Sequence, residues 1–144
     1  MSKIKSFRGL LEDGEQERIS LQTNNGMTGY RIVKFELCGN KPGAVSQESV
    51  VKIYKVEQTA IDAIVDFSDN RLLGSGIWFN KSSVDFPVSL EVIFDNEIFN
   101  QDIFVTHSEI DGNEAVNYYI ELEAMNLSLD EQTVATLKDI RNSN

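Results

Sequence analysis

One stretch of the sequence, residues 94–107 (FDNEIFNQDIFVTH), gathers most of the side-chain types that could do chemistry. It holds the carboxylates Asp95, Glu97 and Asp102 and the chain's only histidine, His107. Carboxylate oxygens suit Ca²⁺, but a calcium loop needs them at alternate positions around a central glycine, and this stretch has no glycine. Zn²⁺ needs about four ligands, mostly His and Cys, and the chain has one of each. The sequence therefore predicts no metal site, and the stretch is interpreted as strand edges and turns.

Nucleophilic catalysis would require His107 to lie beside a nucleophile and an orienting acid. Its neighbours Thr106 and Ser108 would point away from it in a strand, because successive side chains of a strand point to opposite faces. The G-x-S-x-G motif of many hydrolases does not occur in the sequence. His107 is therefore predicted to be a strand-end or interface residue, and the chain is predicted to be no enzyme and to need no cofactor.

Length and charge bound the remaining classes of function. The 144 residues suffice for one domain with a core, and 13 basic against 23 acidic residues give a net charge of −10. This charge repels nucleic-acid phosphates and anionic lipid, so neither nucleic acid nor a membrane is a predicted partner. The single cysteine, Cys38, excludes an internal disulfide and is interpreted as a small core residue.

Alternation of apolar and polar residues with a period of two predicts strands along most of the chain. The segments with strand character are 29–38, 50–56, 61–67, 77–79, 88–94, 101–107 and 115–124. In the first of them the apolar phase slips between Ile32 and Val33, which predicts a bulge or burial on both faces. The segment 74–76 (Gly-Ser-Gly) is interpreted as a turn. In the strand 88–94, Val88 and the alternate apolar residues after it are predicted to face the core.

The clearest alternation predicts a hairpin. Segments 101–107 and 116–123 flank the dipeptide Asp111-Gly112, which favours the tight type I′ turn between antiparallel strands. The two segments are therefore predicted to pair with each other.

The end of the chain changes period. Ser128 and Glu131 match a capping box, and Val134, Leu137 and Ile140 recur on one helical face, which predicts a short C-terminal α-helix.

Roughly eight short strands and one terminal helix predict an all-β fold, either a β-sandwich or a jelly-roll-like domain. Residues 1–14 are assigned to an N-terminal arm and residues 15–144 to a single β-rich domain.

Several blocks carry a resemblance to a known group of proteins. They are TGYRIVKFEL, VVKIYKV, IVDFSDNRLLGSGIWF, IFDNEIFNQDIFVTH and NYYIELEAMNLSLDEQTVATLKDIR, in this order. Together, from about Phe7 to Arg141, they resemble small virion structural proteins of tailed marine bacteriophages. The resemblance implies a head decoration protein, also called a cement or auxiliary capsid protein, that is made in the host cytoplasm and stabilises the outer capsid surface of the virion. It implies the major capsid protein and copies of the chain itself as partners, in a symmetric homo-oligomer such as a trimer. It supplies no catalytic residues.

Such a protein needs an adhesive surface, and the arm and the apolar face of the terminal helix are the candidates. The predicted interface residues are Ile4, Phe7, Leu10, Leu11, Val134, Leu137 and Ile140. Two alternatives stay open: a tail or neck component, and a carbohydrate-binding or receptor-binding β-sandwich. The last of these predicts an exposed Trp78 or a tyrosine platform, whereas Trp78 is itself interpreted as a core residue.

Overall fold

A computed structural model describes residues 3–21, 27–81, 86–94 and 96–127. In these ranges the regular secondary structure consists of β-strands joined by loops. The strands are β1 (Lys3–Leu11), β2 (Gln16–Ile19), β3 (Thr28–Gly39), β4 (Gln47–Tyr54), β5 (Leu72–Asn80), β6 (Val88–Ile93), β7 (Ile103–Glu109) and β8 (Val116–Asn126). The all-β prediction is confirmed for these ranges. The predicted C-terminal helix, with Val134, Leu137 and Ile140, lies outside the described residues.

The strands form two antiparallel sheets that share one core. The three-stranded sheet has the order β1-β8-β3, and the five-stranded sheet has the order β2-β7-β4-β5-β6. Each sheet turns an apolar face towards the other, and the buried side chains from both faces form a single cluster. The result is a sandwich-like arrangement, in which each sheet also has an outer face turned away from the core.

The centre of the three-stranded sheet is β8, whose alternation the sequence predicts correctly. Val116, Tyr118, Ile120 and Leu122 are buried, and the residues between them lie on the outer face. β1 pairs with β8 along its whole length and ends in the fully buried Leu11. The segment assigned to an arm therefore contains a sheet strand.

The predicted bulge in β3 is confirmed. The register between β3 and β8 shifts between Ile32 and Lys34, at the point where the apolar phase slips in the sequence. After the bulge, Phe35 and Leu37 face the core, which turns Cys38 outward. The interpretation of Cys38 as a core residue is wrong, because the phase after a bulge is set by the strand's pairing and packing and not by residue type.

The predicted hairpin between 101–107 and 116–123 is wrong. β7 pairs with β2 and β4, whereas β8 pairs with β1 and β3, so the chain crosses from one sheet to the other between them. Among the described glycines only Gly14 and Gly43 have a positive φ, so Gly112 does not adopt the type I′ conformation. Its N–H donates instead to the Glu109 carboxylate. Alternation shows only that one face of a strand is buried. Two strands with this pattern can pair in a hairpin, or they can lie in different sheets that face each other across a core.

The segment 61–67 is a loop and not the predicted strand. The Asp62 carboxylate accepts a hydrogen bond from the Ile64 N–H at 3.0 Å, and Asp66 accepts one from the Ser68 N–H at 3.0 Å. Aspartate bonds to the backbone two residues on in this way compete with a sheet ladder.

The segment 74–76, interpreted as a turn, lies in the middle of β5. A Cβ on Gly76 would lie 2.7 Å from the Leu37 side chain and 3.0 Å from Phe35. The glycine is therefore needed where β3 packs closely across the core.

The predicted inward face of 88–94 is reversed. Val88 and Leu90 lie on the outer face of β6, with 56% and 61% of their surface exposed. Glu91 and Ile93 lie on the inner face, since they pair with Gly76 and Gly74, whose positions face the core. The Glu91 carboxylate accepts a hydrogen bond from the Leu37 N–H at 3.2 Å, so contact with β3 sets this phase.

Candidate functional site

The described carboxylates of the stretch 94–107 bind different basic side chains. Glu97 pairs with the Lys55 amine at 3.1 Å, and Asp102 accepts a hydrogen bond from Arg18 at 2.6 Å. Asp95 lies outside the described residues. Within the described ranges, no group of three or more His, Cys, Asp and Glu side chains is placed to hold a metal ion.

His107 is fully buried on the inner face of β7, and its ring is hydrogen-bonded on both sides. Nδ1 lies 3.0 Å from the Leu11 carbonyl oxygen and 3.1 Å from that of Glu12, and Nε2 lies 2.9 Å from the Ser49 hydroxyl. Carbonyl oxygens can only accept, so Nδ1 carries the proton and Nε2 accepts from Ser49. The prediction that His107 is a strand-end or interface residue is wrong.

Two further polar residues of β4 complete this arrangement, which we call the His107 cluster (Gln47, Ser49 and His107). The Gln47 amide donates to the Ser49 hydroxyl at 2.8 Å and to the Ala115 carbonyl at 2.9 Å. All three side chains of the cluster are buried. The cluster therefore links β4 and β7 to the end of β1 and to the crossing between the sheets.

A serine that donates to a histidine Nε2 has the geometry of an activated nucleophile. Here both Ser49 and His107 are fully buried, which separates them from any substrate in solution. Burial also lowers the pKa of His107, and hydrogen bonds to the Glu12 and Leu11 carbonyls oppose this shift only in part. The arrangement therefore holds a neutral imidazole that fastens the chain between β1 and β2 onto β7.

Sequence reasoning missed the His107 cluster because its members are far apart along the chain. Ser49 is 58 residues from His107, and Leu11 is 96 residues away. Only His107 occurs in a segment predicted as a strand, because Gln47 and Ser49 precede the predicted strand 50–56, and no local pattern connected the three residues.

A second polar cluster lies on the outer face of the five-stranded sheet, which we call the Lys52 cluster (Lys52, Tyr54 and Asp62). Lys52 is only 3% exposed, and its amine donates to the Asp62 carboxylate at 2.7 Å and to the Ile64 carbonyl at 2.7 Å. The same amine lies 5.5 Å from the centre of the Tyr54 ring. Burial lowers the pKa of Lys52, but hydrogen bonds to Asp62 and Tyr54 outweigh it and raise the pKa.

The Lys52 cluster fastens the loop between β4 and β5 across the outer face. Two further hydrogen bonds hold the same loop. The Gln16 amide donates to the Gln58 carbonyl at 3.1 Å, and the Gln58 N–H donates to the Gln16 side chain at 2.9 Å. The hydrogen bond from Lys52 lowers the pKa of Asp62, so the pair stays charged at neutral pH.

The predicted interface residues divide between the core and the surface. Leu11 is buried in the core and Phe7 packs against it, whereas Ile4 and Leu10 are 52% and 44% exposed on the outer face of β1. Val134, Leu137 and Ile140 lie outside the described residues. The structure therefore leaves Ile4 and Leu10 available for contact.

A groove of about 530 Å³ lies beside Leu10 on the three-stranded sheet. It is lined by Arg8, Gly9, Leu10, Glu36, Leu37, Cys38, Asn117, Tyr118 and Tyr119. The Tyr119 hydroxyl donates to Glu121 at 2.6 Å, and the Lys34 amine lies 5.9 Å from the centre of the Tyr119 ring. The groove thus combines two tyrosines, an amide and opposite charges.

The outer side of β6 is an apolar surface. Its residues were predicted from the sequence to face the core. Val88 and Leu90 of β6 are exposed, as is Phe86 just before the strand. Ile64 and Phe67 in the loop between β4 and β5 are also exposed. Val88 and Leu90 lie two residues apart on the same face of β6, and neighbouring exposed apolar side chains mark contact surfaces more often than isolated ones do.

Trp78 lies in the core with 8% of its surface exposed, which confirms its interpretation as a core residue. It cannot serve as the exposed aromatic platform of a carbohydrate-binding module.

Comparison with known proteins gives no family for this chain. No family model matches it, and no curated protein matches it. In the ranges that the structure describes, no helix is long and apolar enough to cross a lipid bilayer.

Proposed function

We propose that the chain is a structural protein of a tailed-bacteriophage particle and decorates the outer surface of the head, bound to the major capsid protein. The sequence resemblance from about Phe7 to Arg141 supports the phage context. The net charge of −10 supports an outer position, because packaged DNA would repel an acidic protein on the inner surface.

The observation that carries an assembly role is the position of the exposed apolar side chains. Ile4 and Leu10 lie on the outer face of β1, and Val88 and Leu90 lie on that of β6. β1 and β6 are edge strands of different sheets, so the domain has two separate adhesive surfaces. A protein that contacts a shell and also its own neighbours requires two such surfaces.

The state of the reactive side chains supports a structural role over an enzymatic one. The Ser49–His107 pair, which has the geometry of a catalytic dyad, lies inside the fold and fastens it. The hydrogen bonds of both side chains are used for packing, and catalysis would require the pair to be exposed to substrate.

We assign the shell contact to the outer face of β1. On this face Arg8 supplies a positive charge on an acidic chain, and Ile4 and Leu10 supply apolar contact area. A lattice with many copies converts a modest contact of this size into tight attachment. The predicted C-terminal helix, through its apolar face, is retained in this proposal as a second attachment element.

The proposal is tested by a cryo-electron microscopy map of intact particles. Density that fits the two sheets on the outside of the head supports it. Density confined to the tail or neck, density inside the capsid, or absence from particles would each contradict it.

A binding experiment tests the β1 assignment separately. Shells that lack this protein are mixed with the wild type, with Leu10→Asp, and with Ile110→Asp as a control of similar exposure elsewhere on the surface. Leu10→Asp is expected to reduce occupancy of the shell at least about tenfold, which is about 1.4 kcal/mol per site. Equal loss with the control, or no loss with either, would contradict the assignment.

A second candidate function is glycan binding in the groove beside Tyr119. The combination of Tyr119 with Asn117, Arg8 and Glu36 favours it, because sugars stack on aromatic rings and bond to amides and charged groups. Its test is a nuclear magnetic resonance titration with a panel of bacterial surface oligosaccharides. Shifts confined to the groove residues, and lost in Asn117→Ala, would favour this function over attachment to a shell.

A further inference from the structure

We propose that two copies of this chain associate through their β6 strands, which pair antiparallel about a two-fold axis and join the two five-stranded sheets into one. This inference rests on the β6 edge alone and does not depend on the proposed phage role.

Three of the four edge strands carry features that discourage pairing with another chain. β2 is only four residues long. β3 contains the bulge after Ile32 and carries Lys34 and Glu36 on its outer face. β1 carries Lys3, Lys5 and Arg8. Short length, bulges and charged side chains are the usual means by which a sheet edge avoids association.

β6 is longer than β2, contains no bulge and carries no charge on its outer face. Its sequence, VSLEVI, contains a single charged residue, Glu91, which faces the core and accepts a hydrogen bond from Leu37. Its register with β5 is regular over all six residues, and Pro87 precedes the strand without interrupting it. Among the described residues β6 pairs only with β5, so its other edge has no strand partner there.

The backbone groups at that edge can be assigned. The Phe94 N–H donates to the Leu73 carbonyl at 3.0 Å, so Phe94 directs its backbone towards β5. Backbone groups alternate in direction along a strand, and the N–H and C=O groups of Ser89, Glu91 and Ile93 therefore point to the open edge. These are the groups that a second strand would bond.

Two registers of a second copy of β6 at this edge can be compared, one with the two-fold axis at Leu90 and one with the axis at Glu91. A two-fold axis at Leu90 places Ser89 opposite Glu91 of the other copy in the hydrogen-bonded pairs, and Leu90 opposite its own equivalent. An axis at Glu91 would place two carboxylates opposite each other, which destabilises a strand pair. The Leu90 register is therefore the expected one.

The outer face of β6 is self-complementary in that register. Val88 lies opposite Val92 of the other copy, Leu90 opposite Leu90, and Val92 opposite Val88. The row contains no charge, so two chains of net charge −10 meet there without opposed carboxylates on that face. Apolar cross-strand pairs stabilise such a contact, and Leu90 loses its present exposure.

A two-fold contact closes on itself and gives a dimer, whereas the trimer that the phage resemblance implies needs a contact between two different surfaces. Sedimentation of the full-length wild type is therefore expected to show a dimer. Leu90→Lys is expected to raise the dissociation constant at least about tenfold. Ile4→Lys, at a similarly exposed position on β1, is expected to leave the dimer unchanged.

Ser89→Pro provides a second way to block the edge, because it removes an N–H that points away from β5. The thermal unfolding of both β6 variants is measured alongside, so that loss of the dimer is read only from folded protein. A wild type that is monomeric or trimeric, or a Leu90→Lys variant that stays dimeric, would overturn the proposal. Dissociation by Ile4→Lys would assign the contact to β1 and would also overturn it.

The register is tested by disulfide trapping in a Cys38→Ser background with oxidised glutathione as the oxidant. Leu90→Cys is expected to form an intermolecular disulfide, because facing residues in a non-hydrogen-bonded pair lie about 4.5 Å apart and that distance suits the bond. Val88→Cys is the control, since its equivalent in the other copy lies about 13 Å away, four residues along the strand. Equal trapping at both positions, or trapping at Val88→Cys alone, would contradict the register.

Discussion

The His107 cluster and the Lys52 cluster lie on opposite faces of the five-stranded sheet, and both include residues of β4. On the inner face, His107, Ser49 and Gln47 are neutral and bonded to one another and to backbone carbonyls. On the outer face, Lys52 is charged and bonded to Asp62, whose side chain is 53% exposed. Each cluster fastens a connecting segment to the sheet, but the inner one does so without charge.

The difference follows from access to water. An ion pair inside the core would lose the hydration of both partners, and that cost is seldom recovered. Lys52 avoids it because its partner stays half in solvent, while the lysine stem covers the sheet. His107 has no such partner, and burial keeps its imidazole neutral. The position of a polar cluster in the fold therefore decides whether it can be charged.

The largest effect is expected for His107→Ala. The change leaves a cavity in the core and removes the partner of the Leu11 and Glu12 carbonyls and of Ser49, so it should lower the free energy of unfolding by about 3 kcal/mol. Urea denaturation measures it. Ser49→Ala is the matched change at the other end of the same bond and should cost about 1–2 kcal/mol. A His107→Ala variant as stable as the wild type would show that the inner cluster does not fasten the fold.

A smaller effect is expected for Asp62→Ala, which leaves the Lys52 amine with fewer partners. Since Asp62 is half exposed and water can replace part of its contact, the expected loss is about 1–2 kcal/mol in urea denaturation. Lys52→Met removes the charge and keeps the stem, so it should cost less than Asp62→Ala. Asp66→Ala, on the same loop, removes a carboxylate that accepts hydrogen bonds from Ser68 and should leave stability unchanged. If Lys52→Met lowered the free energy of unfolding more than Asp62→Ala does, the distinction between the clusters would be contradicted.

The pH dependence of stability separates the clusters further. The folded pKa of His107 lies below its ordinary value of 6.5, so the unfolded chain binds the proton first as the pH falls. The contribution of neutral His107 is complete above pH 6.5 and declines as the pH falls from there through the folded pKa. Asp13 and Glu109 lie near enough to oppose the shift but do not reverse it.

The contribution of Asp62, whose pKa is lowered from 3.8, declines only below about pH 4. The free energy of unfolding is measured at a series of pH values from 7.5 to 3 for the wild type and for His107→Ala. The difference between the two proteins gives the pH range in which the contribution of His107 declines. Equal slopes for the two proteins between pH 6.5 and 5 would contradict the assignment of a lowered pKa to His107.

The smallest effect is expected for Tyr54→Phe. The Tyr54 hydroxyl supports the Lys52 amine, but Asp62 and the Ile64 carbonyl remain in place, so the loss should be about 0.5 kcal/mol. The melting temperature, with the pKa of Lys52 followed by nuclear magnetic resonance, measures both consequences. A loss as large as that of Asp62→Ala would show that the aromatic partner and not the carboxylate holds the outer cluster.

The sequence by itself determined the local features of the chain. Alternation identified the inward residues of β8, the phase slip at Ile32 located the bulge in β3, and residue type placed Trp78 in the core. These features depend on neighbouring residues and on the period of a strand, which a single sequence displays directly.

Tertiary structure decided which strands pair and which faces are buried. The alternation in 101–107 and 116–123 is equally compatible with a hairpin and with two strands that face each other across a core, and the structure has the second. The bonds of His107 to Ser49 and Leu11 span 58 and 96 residues, and no local pattern predicts contacts at that separation. The outward turn of Val88 and Leu90 likewise depends on Glu91 meeting Leu37 of β3. Contacts between distant segments are selected by the packing of the whole core, and the sequence displays only the local preferences that the packing must satisfy.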